Sequence, residues 1–109
     1  MNLNDYQKKA LESVAIKDKN VSALAHRTLG LSGEAGIISN TIKKAIRDKG
    51  GQLDNSDIEL LKEKLGDVMY YVAVLAEYAN LELDKIAADN IAKSQKFKKH
   101  LDKWLNATI

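Results

Sequence analysis

The stretch Ser56–Ala79, SDIELLKEKLGDVMYYVAVLAEYA, decides the fold. Ile58, Leu61, Leu65, Val68, Val72, Leu75 and Ala79 recur there at spacings of three and four. That rhythm matches the 3.6-residue turn of an α-helix and puts the apolar side chains on one face. Ser56 and Glu59 stand at capping-box spacing, so Ser56 is the expected N-cap. Asn80 is the expected C-terminal break.

Upstream, 48–55 (DKGGQLDN) reads as a loop, because Gly50-Gly51 and Asp54-Asn55 are strong turn formers. Before it, 21–47 carries Leu24, Thr28, Leu31, Ile38, Ile42, Ala45 and Ile46 at helical spacing. The small-residue run Gly33-Glu34-Ala35-Gly36 interrupts that apolar pattern within the segment. The polar 16–20 (IKDKN) reads as a connection. A first helix is expected over 5–14, capped by Asn4. Downstream, a fourth helix is expected from Leu83 to about Lys93. The basic tail 95–109, with Phe97, Leu101, Trp104 and Leu105 at spacings of three and four, reads as a fifth short helix packed on the body or on a partner.

These elements predict one all-α domain spanning 1–109, a bundle of four main helices. The chain has no proline, the residue most hostile to a helix interior. At 109 residues and 45% hydrophobic it can build a core, but a chain so short leaves apolar faces that association would cover. Seventeen basic and fifteen acidic residues nearly balance, which removes the electrostatic case for nucleic acid. Cysteine is absent, so neither disulfides nor thiol chemistry enter. No apolar run approaches the roughly 20 residues of a membrane span, and no secretory leader opens the chain, so a cytoplasmic protein without a membrane partner is expected.

Few residues offer chemistry. There is no G-x-S-x-G and no G-x-x-x-x-G-K-[ST], and His26 and His100 are far apart in sequence. Two stretches stand out. In Gly30-Leu31-Ser32-Gly33-Glu34-Ala35-Gly36, three glycines each weaken a helix by about 1 kcal/mol relative to alanine. A burden of that kind points to close approach by a backbone or a ligand, with Glu34 at its centre. In Leu65-Gly66-Asp67-Val68, a glycine and an aspartate interrupt the apolar seam. The structural alternative is that Gly33, Gly36 and Gly66 are contact points between tightly packed helices, with Glu34 and Asp67 as polar contacts.

These stretches, in this order, resemble the MazG-like family of all-α nucleoside triphosphate pyrophosphohydrolases. The resemblance runs through Tyr6-Gln7, Leu29–Gly36, Ile42-Lys43-Lys44, Leu65–Val68, Ile86-Ala87 and Asn90-Ile91-Ala92-Lys93. It implies hydrolysis of a nucleotide between its α and β phosphates, with Mg²⁺ or Mn²⁺ held by four carboxylates. Those carboxylates come as E-x-x-E on one helix and E-x-x-D on the next. Such spacing puts each pair on one helix face, and a hard dication wants oxygen ligands. The resemblance makes Glu34 and Asp67 the catalytic and metal-ligating residues. It gives phosphate binding to Asn90 and Lys93, and implies homo-oligomers, dimers or dimers of dimers.

The sequence departs from that pattern at two positions. Ile37 and Lys64 stand where carboxylates are expected, so the four positions carry −1 (Glu34 −1, Ile37 0, Lys64 +1, Asp67 −1) rather than −4. An ammonium about 4 Å from a dication is repelled by several kcal/mol even at an effective dielectric near 20. Lys64 is therefore expected to neutralise Glu34 and Asp67 in the metal's place and to join Asn90 and Lys93 in nucleotide binding. Glu63, four residues before Asp67, is the substitute ligand if the helix turns. The reading is a nucleotide pyrophosphohydrolase of this type, or a catalytically impaired nucleotide-binding or interaction module of the same fold.

Overall fold

The computed structural model describes residues 1–108, with side chains through residue 107, so Ile109 of the expected tail helix lies outside the described residues. Four helices form: α1 (Leu3–Glu12), α2 (Val21–Lys49), α3 (Asn55–Tyr78) and α4 (Leu83–Thr108). There is no strand among the described residues. No described helix is long and apolar enough to cross a membrane.

The helix starts differ from expectation in ways that local chemistry explains. Asn2, not Asn4, caps α1 by accepting from Asp5 N. Asn4 instead accepts from Asp84 N and so ties α1 to the start of α4. The capping box of α3 is Asp54 with Asp57, two residues before the Ser56–Glu59 pair. Asp54 Oδ1 accepts from Asp57 N, and Asp57 Oδ2 accepts from Asp54 N. Lys49 at the end of α2 reaches both carboxylates, at 2.5 and 2.8 Å, which selects this box over the downstream one. The same ammonium, followed by the amide of Asp57, holds Asp54 well below the usual carboxylate range.

α2 forms as the single segment expected, and α4 runs on where a break was expected. α2 passes through the Gly33–Gly36 run unbroken and stops at Gly50, whose φ of +64° suits a residue without a Cβ. α4 joins the expected fourth helix and tail into one, since neither glycine nor proline falls between Leu83 and Thr108. Asn80 does break the chain after α3, in the left-handed region at φ +59°.

α2 and α3 form a long antiparallel hairpin, α1 lies along the C-terminal half of α3, and α4 meets α1. The core gathers at that end: Ala10, Val14, Ala73, Val74, Ala76 and Leu83, with Tyr6, Leu11 and Tyr70–Val72 packed around them. Two buried polar side chains lock it. Gln7 donates from Nε2 to the carbonyls of Ala73 and Leu81, and its Oε1 accepts from Leu83 N. One amide thereby satisfies the backbone where α3 turns into α4. Arg27, 1% exposed, donates to the carbonyls of Val74 and Ile16 and to Glu77 Oε2 at 2.9 Å. Its guanidinium also lies 5.9 Å from the Tyr78 ring centroid.

Arg27 therefore joins α2, α3 and the α1–α2 connection. Arg27→Ala strips buried carbonyls of their donor and leaves Glu77 without this partner. Urea unfolding followed by helical circular dichroism should show a loss of about 3 kcal/mol. A loss below about 1 kcal/mol would mean that the linkage carries little of the fold.

Candidate functional site

The hairpin brings the middle of α2 against the middle of α3. Glu34 sits on α2 facing α3; Lys64 and Asp67 are one turn apart on α3 and share a face. Lys64 Nζ lies 3.1 Å from Glu34 Oε2 and 3.3 Å from Asp67 Oδ2. Glu34 and Lys64 are mostly buried, and Asp67 is more open. The Lys64–Asp67 contact is a hydrogen bond. The contact with Glu34 is an ion pair whose alignment falls outside hydrogen-bond geometry, so the buried Oε2 is held by charge alone.

Both carboxylates, Glu34 first, hold the Lys64 ammonium above its ordinary range. With both carboxylates ionised, a folded value above the unfolded one means that the pairing stabilises the fold below about 10.4 and is lost as pH rises through the raised value, so the Lys64 ammonium stays charged across the physiological range.

This donor set does not fit a divalent ion. Two carboxylates converge, but an ammonium already sits between them. Ile37, one turn from Glu34 on α2, offers no oxygen, and 40% of its surface is exposed. Among the described residues no three acidic, histidine or cysteine side chains gather in a metal-binding arrangement. Glu63 is exposed and borders a shallow surface groove with Glu59, Leu60 and Gly66; among the described residues it makes no ion pair with Lys64. His26 is also exposed, its ring tilted against Tyr71.

Asn90 lies on the wall of an apolar cavity of about 280 Å³ between α1, α3 and α4. Tyr6, Val68, Val72 and Ile86 form much of the rest of that wall. Tyr6, on the cavity wall, lies within electrostatic reach of Asp67. Burial first, then the charge of Asp67 and the neighbouring Tyr70, push its phenol above the ordinary tyrosine range, so it stays protonated. Lys93 follows Asn90 by one turn of α4 and is exposed.

The glycines resolve differently from the packing alternative. A methyl on Gly30 would overlap the Tyr71 ring, so the close approach in this region is at Gly30. At Gly33, Gly36 and Gly66 an added Cβ meets nothing within 4 Å. Contacts within this chain therefore do not explain those three, and all lie on the hairpin within a turn of Glu34 or Asp67.

Over 76 residues the chain is 41% identical to "Gene 37 protein" of Mycobacterium phage L5, a match covering 70% of this chain and 67% of the phage protein. This chain belongs to the family of that phage protein. No family model matches the chain, and no solved structure does. The name of the phage relative specifies no chemistry, so function has to be argued from the site.

The glycines give a direct check of the hairpin geometry. Gly33→Ala and Gly36→Ala should each raise stability to urea by about 0.5–1 kcal/mol, since alanine favours a helix and nothing stands in its way. Gly30→Ala should lower it, because the Tyr71 ring must move. The same sign at all three positions would contradict the close packing of Tyr71 on Gly30.

Proposed function

We propose that this chain is a nucleotide-binding member of the MazG-like all-α class in which Lys64 takes the charge-neutralising place of the metal and hydrolysis is strongly impaired. The observation that carries the reading is the position of Lys64 Nζ, 3.1 Å from Glu34 and 3.3 Å from Asp67. These are two of the positions at which the class resemblance expects carboxylates around Mg²⁺ or Mn²⁺. A fixed ammonium there opposes a dication by roughly 8 kcal/mol at about 4 Å and an effective dielectric near 20.

Lys64 also lowers the charge facing an incoming phosphate from −2 to −1. Phosphate binding then falls to Asn90 and Lys93, the N-x-x-K pair on α4. The apolar cavity beside Asn90 supplies a place for a flat, weakly polar ring such as a nucleobase, with the Tyr6 phenol near its Asp67 end. The reading takes the protein as cytoplasmic and as a homo-oligomer, dimer or dimer of dimers. No membrane or nucleic-acid partner enters it.

Calorimetric titration with a non-hydrolysable nucleoside triphosphate tests it. Binding should change less than about threefold between magnesium and chelator, and Lys93→Ala should weaken it by about tenfold. No pyrophosphate should be released from natural nucleotides. Magnesium-dependent release abolished by Asp67→Ala would overturn the metal-free reading in favour of an active pyrophosphohydrolase. Absence of any nucleotide binding would remove the nucleotide altogether. Ile37→Glu combined with Lys64→Glu should install magnesium binding; a folded double variant that ignores magnesium would place the four positions elsewhere.

A further inference from the structure

The molecule exposes far more surface than a finished globule of its size. Its accessible area is 8109 Å², whereas a compact monomer of 12.1 kDa exposes about 6,000 Å². Its radius of gyration is 17.9 Å, against about 13 Å for a compact chain of this length. The excess, about 2,000 Å², exceeds the roughly 800 Å² per partner that a stable interface removes.

Two places account for much of that surface. The first is the C-terminal part of α4. Its apolar stripe begins with Leu83, Ile86 and Ala87, which face the body. One helical face then continues past Asn90 to Phe97 and Leu101, and on towards the C-terminus. Phe97 is 65% exposed and Leu101 41%. Past Asn90 this arm is about 27 Å long at 1.5 Å per residue. It carries five lysines (Lys93, Lys96, Lys98, Lys99, Lys103) against one aspartate, Asp102.

The second place is the face of α3 from Ile58 to Met69, whose last residue also lines the cavity beside Asn90. It continues the seam that α1 and α4 cover lower down, but here Ile58, Leu65 and Met69 are each about half exposed. Gly66, whose missing Cβ nothing in this chain explains, lies on this stretch of α3. Glu59 and Glu63 border it, with Lys62 beside them, so its edge carries a net −1 (Glu59 −1, Lys62 +1, Glu63 −1).

The two surfaces match in kind. One is a protruding apolar helix edged with lysine, and the other an uncovered apolar helix face whose edge is net acidic, two glutamates against Lys62. We infer that the α4 arm of each chain docks on the α3 face of a second copy, Phe97 and Leu101 against Ile58, Leu65 and Met69, in a reciprocal two-fold dimer. Both copies give an arm and receive one, so a single rotation covers all four surfaces. Gly66 lets the arm lie close to the α3 backbone. The lysines of the arm meet Glu59 and Glu63, which fixes its direction along α3. The inference rests on the oligomeric part of the proposed function and is independent of its nucleotide part.

Sedimentation equilibrium of the full chain, without nucleotide, tests it. The wild type should be dimeric at about 50 µM. Phe97→Glu with Leu101→Glu should weaken the dimer by about 100-fold while leaving helical circular dichroism unchanged, because both residues are exposed within one chain. Lys96→Glu with Lys98→Glu, and separately Glu59→Lys with Glu63→Lys, should each weaken it by about tenfold at low salt. An equimolar mixture of these two charge-reversed proteins should recover wild-type association, since every arm then meets an opposite charge.

A dimer that survives Phe97→Glu with Leu101→Glu would overturn the arm while leaving the oligomer standing. A mixture no tighter than its separate components would also overturn the pairing of these two surfaces. A wild type monomeric at about 500 µM would remove both arm and oligomer. If such a monomer bound vesicles of anionic lipid through Phe97 and Leu101, the arm would belong to a membrane surface instead.

Discussion

Two carboxylates on different helices converge on one ammonium, and the character of the site follows from that contact. Glu34 and Asp67 alone would place two negative charges in a mostly buried seam between α2 and α3. Lys64 brings the net charge to −1 without leaving the protein. Because its ammonium is held above the ordinary lysine range, the pairing does not loosen near neutral pH. A divalent ion would have to displace a neighbour tethered to the same helix. The hairpin makes this arrangement possible, and Arg27 and Gln7 hold the hairpin to α1 and α4 at its other end.

The molecule is polarised along the hairpin. At one end α1, the start of α4 and the C-terminal half of α3 form a packed core locked by the hydrogen bonds of Gln7 and Arg27. At the other end α2 and α3 run on as a bare pair, and α4 departs into solvent. Glu34, Lys64 and Asp67 lie where the covered part gives way to the bare part. The glycines that weaken these helices without a packing reason in this chain occur there as well. A site at such a boundary is open to a ligand on one side and to a second chain on the other.

Much of this was legible in the order of residues. The seam from Ile58 to Ala79 dictates α3, and Gly50-Gly51 ends α2. Positions 34, 64 and 67 could be set side by side from helix spacing and family resemblance alone. What escaped has physical reasons. The segment from Asp54 to Glu59 contains two overlapping capping boxes, and the choice between them is made by Lys49, a residue of the preceding helix. Asn4 looked like a cap for its own helix but serves α4, eighty residues on. Nothing in the sequence marks Arg27, because its acceptors lie on the α1–α2 connection and on α3. The two halves of α4 were separated for want of a reason to join them, yet no residue between them ends a helix.

The account turns on Lys64 acting as a built-in cation, and anomalous diffraction from crystals grown with Mn²⁺ and a non-hydrolysable nucleotide addresses that most directly. The prediction is Lys64 Nζ between Glu34 and Asp67, no manganese peak within coordination distance of either, and nucleotide phosphates near Asn90 and Lys93. A manganese ion ligated by Glu34 and Asp67, with the lysine swung aside, would contradict it.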